Sequence, residues 1–260
     1  EGIHPHPVWS KRIDELFKEN VDVVPYISRA VAGIPDPVAC LRTDEKLRER
    51  FFLELTYNSN AIEGSRMTRR ETELALEGKN VRGKEPFEVF EAVNHRNALM
   101  HMLESAGRGF RLAEAFILKL HGIVMYNFHD KLPGRYRTGY VNLTNTDVKL
   151  PAAQLVPARM AQWLESVEAG EDNAIARAAR AHHAFERIHP FFDGNGRVGR
   201  ILLNVQLMSR GLPPALIRIE DQAQYYQGLA KADMGEPNTL VQMIGESVLR
   251  GFQLLNGGRT

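Results

Sequence analysis

Apolar residues recur along most of this chain every three or four positions, the period of a helix with one buried face. Trp9, Ile13, Leu16 and Phe17 form such a stripe and predict a short helix from about Pro7 to Glu19. Ile34-Pro35-Asp36-Pro37-Val38 then reads as a connector, since closely spaced prolines interrupt a helix. Leu47, Phe51, Leu53 and Leu55 predict a largely buried helix from Asp44 to Asn58. Thr68 and Glu71 make a capping box that opens a helix to about Glu77, with Gly78 as its stop. Pro86 suits the first position of a helix to roughly Ser105, with Phe87, Phe90, Val93, Leu99, Met102 and Leu103 as its core face. Asn94 and His95 inside it read as hydrogen-bonded structural groups. Phe116, Leu120, Ile123 and Val124 mark the next helix, Leu112 to Tyr126, with His121 as a satisfied packing residue.

The same period returns in residues 152–169 through Leu155, Met160, Trp163, Leu164 and Val167. It continues from Asn173 to Ile188, where Ile175, Ala178, Ala179, His182, Phe185 and Ile188 trace the buried stripe. The alanines permit close neighbours, as suits the central helix of a bundle. Further helices are expected over Asn195 to Ser209, Gln222 to Asp233 and Asn238 to Leu255. One stretch departs from the pattern. Arg137 to Leu143 has strand character, Thr144 to Asp147 reads as a hairpin tip, and Val148 to Leu150 as the return. The chain is therefore expected to be all-α with one small β-hairpin, which is stable only if packed on helices.

Composition narrows the classes. With 260 residues, 43% of them hydrophobic and 25% charged, the chain can bury an ordinary globular core. A formal charge of +1 offers no general attraction to nucleic acid or to a membrane. No run approaches the roughly 18 apolar residues of a membrane span. Cys40 is the only cysteine, so no internal disulfide or cysteine-based metal site forms, and a cytoplasmic location is the expectation.

Candidate chemistry concentrates between two helices, at His189-Pro190-Phe191-Phe192-Asp193-Gly194-Asn195-Gly196-Arg197-Val198-Gly199-Arg200. Pro190 ends the first helix, because the residue before a proline is driven out of the α region. Gly194 and Gly196 leave no Cβ over the turn, so amide N–H groups there can converge on an anion. Asn195 can cap the second helix, whose N-terminus adds a positive dipole aimed the same way. Arg197 and Arg200 lie three apart on its first turn. His189 can take a proton, and Asp193 can hold a Mg²⁺ that bridges phosphates. Taken singly, each has an ordinary structural reading as a cap, a surface group or an ion-pair partner. His182, His183 and His189 lack a compact zinc-ligand spacing, which argues against a zinc hydrolase.

Together the twelve residues resemble, without a departure, the signature of the Fic family, H-x-F-x-[D/E]-G-N-G-R-x-x-R. The resemblance implies a helical bundle built around a central helix-loop-helix, with the hairpin as a flap over the active site. It implies transfer of AMP from ATP, the substrate, to a Ser, Thr or Tyr hydroxyl of a target protein. His189 would be the general base, and Asp193 would hold Mg²⁺ or Mn²⁺. Asn195 and the amides around Gly194 and Gly196 would take α- and β-phosphate oxygens, and Arg197 and Arg200 the β- and γ-phosphates. Phe191 would anchor the loop. Tyr225 and Tyr226 would line the adenine and ribose pocket, with Asp233 standing where relatives often have asparagine. Main-chain groups of Val141, Asn142 and Leu143 on the flap would pair with the target. Auto-modification and a homodimer are compatible with the family; nucleic acid is not indicated.

A second segment gains meaning from the first. In Ser59-Asn60-Ala61-Ile62-Glu63-Gly64, Ser59 can be an N-cap and Gly64 a left-handed helix end, which alone describes a short capped helix. It also resembles the family's inhibitory motif, [S/T]-x-x-x-E-[G/N], placed N-terminal to the core. The resemblance pairs Glu63 with Arg200, where a carboxylate takes the place of the ATP γ-phosphate. It divides the chain into an N-terminal segment over 1–43, helices carrying the inhibitory motif (59–64) over 44–80, a core over 81–256 and a frayed tail over 257–260. Within the core lie the flap (136–151) and the signature loop (189–200). A phosphotransferase variant of the family has lysine where Gly196 stands, so the glycine argues against that reaction. Two alternatives stay open: removal of AMP with Glu63 orienting a water, and a silenced nucleotide- or partner-binding module.

Overall fold

The structure is a computed structural model that describes residues 23–34, 36–142, 148–168 and 173–257. Among the described residues are eleven α-helices: α1 (Val24–Gly33), α2 (Pro37–Thr43), α3 (Glu45–Ile62), α4 (Arg69–Leu76), α5 (Pro86–Ser105), α6 (Glu114–Val124), α7 (Val156–Glu168), α8 (Ala174–Ile188), α9 (Asn195–Ser209), α10 (Gln222–Asp233) and α11 (Asn238–Leu255). Several begin where polar side chains satisfy their free amides. Asp44 accepts from Leu47 N at 3.0 Å to start α3, and Asn173 from Ala176 N at 2.8 Å to start α8. The capping box at Thr68 and Glu71 is complete in both directions.

Helix α9 is the axis of the fold. Every residue from Arg197 to Met208 is buried, so the helix is enclosed on all sides. One apolar cluster covers one side of it, with Phe51, Phe52, Leu99, Leu120, Trp163 and Phe185 against Val198, Ile201 and Leu202. A second cluster covers the other, with Ile175, Tyr225, Ile244, Val248 and Phe252 against Leu203 and Leu207. Helix α8 runs beside α9, and its Ala178, Ala179 and Ala181 are buried as the small-residue stripe requires.

Four expectations change. Helices α1 and α2 occupy much of what read as proline-broken chain; Asp36 caps α2 and Pro37 fills its first turn. The stretch Pro7 to Glu19 lies outside the described residues. Ser59 is not an N-cap, because α3 continues through it to Ile62. Phe87 and Phe90 are 52% and 41% exposed; the buried face of α5 begins only at Ala92. Finally, no strand is present among the described residues of the flap, 136–142 and 148–151, while Leu143 and the tip (144–147) lie outside them. The two limbs are held by one arginine instead of by each other: Arg137 donates to Gly139 O at 3.0 Å and to Pro151 O at 2.6 Å.

The cap of α3 sets the start of the helix that carries Ser59 and Glu63. Asp44→Ala is expected to lower stability by about 1 kcal/mol, read from the urea midpoint.

Candidate active site

Helix α8 ends at His189, which adopts a left-handed backbone (φ 48°) with its N–H still bonded to Phe185 O at 3.0 Å. The chain then turns back through Pro190 to Gly194 and enters α9. Asn195 closes this turn: its Oδ1 accepts from Phe191 N and its Nδ2 donates to Phe191 O, both at 2.9 Å. Gly194, not Asn195, occupies the cap position, with φ 78°. A Cβ there would lie 2.8 Å from Met125 Sδ, so glycine is required by both conformation and space. Phe191 is fully buried and stacks on the His121 ring, centroids 3.7 Å apart and planes within 6°. His121 Nδ1 accepts from Gly134 N at 3.0 Å, which leaves the proton on Nε2 to donate to Asp193 O at 3.1 Å. Burial pushes the His121 pKa down to about 4, so this brace stays neutral.

Arg137 grips the same loop from the flap side. It is 2% exposed; its Nε donates to His189 O at 2.8 Å, and its backbone N–H to Pro190 O at 2.9 Å. One cation therefore ties both limbs of the flap to the turn between α8 and α9.

At the start of α9, the first amides have no intrahelical acceptor and the dipole is positive, which makes an anion site. Arg200 stands one turn further on, buried beneath it. Its Nη1 lies 2.8 Å from Glu63 Oε1, its Nε donates to Ser59 Oγ at 3.0 Å, and its Nη2 donates to Ser59 O at 2.8 Å. Burial opposes the charge of Arg200, but Glu63, with Tyr225 and Glu186 adding to it, offsets this and holds the pKa above its ordinary value. Glu63 sits at the C-cap of α3, before Gly64 with φ 96°. Its Oε1 fills the space above Gly196 so closely that any Cβ on that residue would collide with it.

Arg197 points elsewhere. It is buried between Glu91 (2.8 Å) and Asp193 (3.2 Å), so its guanidinium faces carboxylates and not the open anion site. Asn195 is likewise committed to the Phe191 backbone. Asp193 keeps a side chain 46% exposed, and its Oδ1 also accepts from Gly194 N. No group of three or more potential metal ligands exists among the described residues. A lone exposed carboxylate still fits Mg²⁺, which takes one or two carboxylates and completes its shell with phosphates and water.

A cavity of about 700 Å³ opens over this arrangement, within the range of small-molecule sites. Glu63, His189, Gly196, Arg200, Tyr225 and Tyr226 line it, with Asn142 of the flap. Tyr225 is buried, its hydroxyl 2.7 Å from His182 Nε2, whereas Tyr226 presents a ring 47% exposed. Val141 is half-buried and lies outside that lining. Asp233, at the cavity's edge, is paired with His183 at 2.6 Å. Burial pushes the His189 pKa down to about 4, so its imidazole is neutral and can accept a proton. The reading from sequence missed Arg137, Glu91, Glu186 and Gln222. Gln222 Nε2 donates to Ile62 O at 2.7 Å and fastens the end of α3 to α10.

A helix N-terminus facing a buried arginine, with a neutral histidine at the rim of an open cavity, defines a helical domain with an oligophosphate-type anion site. Known proteins give the family. The sequence pattern of the Fic/DOC family matches residues 111–207. Protein adenylyltransferase Fic of Nematostella vectensis is 32% identical over 250 residues, covering 92% of this chain and 56% of that protein. Protein adenylyltransferase fic-1 of Caenorhabditis briggsae is 32% identical over 204 residues, covering 77% and 40%. A Fic-domain-containing signalling protein of Bacteroides thetaiotaomicron superposes with a TM-score of 0.74 at 22% identity, over 95% of this chain and 97% of that one. A fragment of Caenorhabditis elegans Fic-1 superposes with a TM-score of 0.73 at 26% identity, over 90% and 73%. This chain belongs to the Fic family. It spans little more than half the length of the Nematostella relative and less of the Caenorhabditis one.

Arg137→Ala leaves several buried carbonyls without a donor. It is expected to cost about 3 kcal/mol of stability, measured by urea unfolding.

Proposed function

We propose that this chain is an autoinhibited protein adenylyltransferase, moving AMP from ATP to a Ser, Thr or Tyr hydroxyl of a protein. The observation that carries the reading is the 2.8 Å pairing of Glu63 with Arg200 above Gly196. A carboxylate from a distant helix occupies an anion position beside a neutral histidine, in a cavity large enough for a nucleotide. The adenylyltransferase names of the relatives support the same reaction.

In this reading the nucleoside lies against Tyr226 and the wall formed by Tyr225. The phosphates meet the first amides of α9, and the γ-phosphate displaces Glu63 from Arg200. His189 takes the proton of the attacking hydroxyl as oxygen bonds to the α-phosphorus, and pyrophosphate leaves in line. Mg²⁺ or Mn²⁺, held by Asp193, supplies charge neutralisation when bound. Arg197 serves by aiming Asp193, and Asn195 by shaping the loop, since their polar atoms are already engaged there. The flap offers main chain around Val141 and Asn142 to an extended target segment, a form of strand addition. Auto-modification and self-association fall within the same reading. No described helix is long and apolar enough to cross a membrane.

A second reading, removal of AMP from a modified protein, has one observation in its favour. The Glu63 side chain remains 34% exposed on the cavity it shares with His189, where it can orient a water.

Glu63→Gly is expected to raise auto-modification by labelled ATP and Mg²⁺ at least about tenfold, and adding His189→Ala to remove it, given the ~10²–10⁴-fold worth of a general base. Absence of signal from Glu63→Gly under conditions where ATP binds argues against the transferase. Release of AMP from a modified target by the wild-type chain favours the second reading.

His189 with a lowered pKa stays neutral until the pH falls to about 4. The acid limb of kcat/KM for Glu63→Gly should therefore lie below about pH 5, not near the ordinary histidine range around 6.5. A limb at 6 to 7 would show that His189 is not held in this environment during turnover.

A further inference from the structure

Two glycines flank Arg200 on the inner face of α9, and a carboxyl from another element sits over each. Glu63 covers Gly196. Glu186, from the last turn of α8, covers Gly199, and a Cβ on Gly199 would collide with its Oε1. The same Cβ would lie 3.2 Å from both the His182 and Phe185 rings, so the carboxyl is wedged into a fitted space. One arginine thus has two carboxyls beside it. Glu63 makes the close pair, while Glu186 Oε1 is sealed from solvent with no hydrogen-bond partner among the described residues. Glu186 also lines the cavity.

Facing Glu186 from its own helix are His182, His183 and Arg187, of which His183 and Arg187 are engaged by Asp233 of α10 at 2.6 and 3.4 Å. From the loop comes His189, and from α9 Arg200. From the end of α3 comes Glu63, and from α10 the hydroxyls of Tyr225 and Tyr226. His182 and His189 are neutral, their pKa values pushed down by burial to about 3 and about 4. Arg200 is therefore the cation whose charge reaches Glu186, and Glu63 and Ser59 already engage it. Burial pushes the Glu186 pKa up, Glu63 adds to the rise and Arg200 opposes it, leaving it at about 8. At neutral pH this carboxyl carries a proton and can donate one hydrogen bond.

We propose that Glu186 is a second anion-site residue, which must be protonated for a triphosphate to reach Arg200 and which, once ionised, takes the place at Arg200 that Glu63 vacates. The inference rests on the nucleotide-binding reading above. As the neutral acid, Glu186 offers an O–H to a phosphate oxygen. As the carboxylate, it repels the phosphate and competes for the same guanidinium. Removal of Glu63 alone then leaves a weaker, pH-dependent gate.

The test uses the full chain with Mg²⁺-ATP as the probe, comparing Glu63→Gly with Glu63→Gly/Glu186→Gln by calorimetry from pH 6.5 to 9.5. In Glu63→Gly the Kd is expected to rise with pH, approaching about tenfold per unit once Glu186 ionises, with uptake of up to about one proton per ATP bound. Glutamine keeps the shape and the neutral donor, so the double variant should vary less than about threefold over the range and bind more tightly at pH 9. Proton uptake by Glu63→Gly alone, from heats in buffers of different ionisation enthalpy, supplies a readout that does not depend on the double variant. Equal pH slopes in the two proteins, or ATP binding to Glu63→Gly without proton uptake at pH 8.5, overturns the role of Glu186 while leaving the nucleotide reading intact. Folded protein that binds no ATP at any pH overturns both.

Discussion

A buried guanidinium at position 200 is the constraint around which the rest of the site is arranged. A cation taken out of water is costly unless an anion and hydrogen-bond acceptors replace its hydration. Ser59 supplies two acceptors and Glu63 the charge. The enclosing apolar clusters on both sides of α9 keep water from doing so. The position beside Arg200 can therefore be filled by a carboxylate of the chain or by a phosphate of a ligand, and filling it with both is unfavourable. Competition at one cation is enough to make a gate.

The turn between α8 and α9 is held chiefly by side chains bonded to main chain. Asn195 folds back on Phe191, His121 bridges Gly134 and Asp193, and Arg137 reaches carbonyls on the turn and on both flap limbs. Such bonds restrain the loop, and pre-arranged dipoles are what the proposed phosphoryl chemistry most needs. They also explain how His189 persists in a left-handed conformation that a non-glycine residue seldom adopts.

That dependence on main chain decides what could be read from the sequence. The turn from His189 to Arg200 stood out in the sequence because its residues are contiguous, but their partners did not. Asn195 and Arg197 read as phosphate ligands, whereas the structure engages them with Phe191 and with Glu91 and Asp193. The partnership of Glu63 with Arg200 was legible only through resemblance, since Ser59 and Arg200 are 141 positions apart. Arg137 and Gln222 left no trace, because a carbonyl acceptor is present in every residue and no complementary side chain marks the partner. Helix periodicity placed the helices from α3 onward, though α3 runs on to Ile62 and α1 and α2 were not anticipated, and it cannot say where along a stripe a neighbour exists. Phe87 and Phe90 continue the apolar spacing of α5 but have little packed over them. Helix α1 is a case of the opposite kind. Its position is fixed by packing on α11, where Val23 lies so close to Gly245 that a Cβ there would collide with it.

In the proposed reading, how the gate opens follows from what holds each part of it. The end of α3 is fastened from several directions: Asn58 Oδ1 accepts from Ile219 N at 2.9 Å, and Ile62 O accepts from Gln222 at 2.7 Å and from the Tyr226 hydroxyl at 3.4 Å. Moving the helix away would break all of these and leave Arg200 buried without its acceptors from Ser59. The Glu63 side chain is free of those bonds, sits past the last helical turn and is one-third exposed. Rotation about its side-chain torsions is therefore the less costly motion, provided a phosphate takes its place at Arg200. Tyr226 belongs at once to the grip on α3 and to the wall of the cavity. A ring stacked on Tyr226 would thus act on the same carbonyl that holds the end of α3, which in the proposed reading couples the nucleoside end of the cavity to Glu63 at its phosphate end.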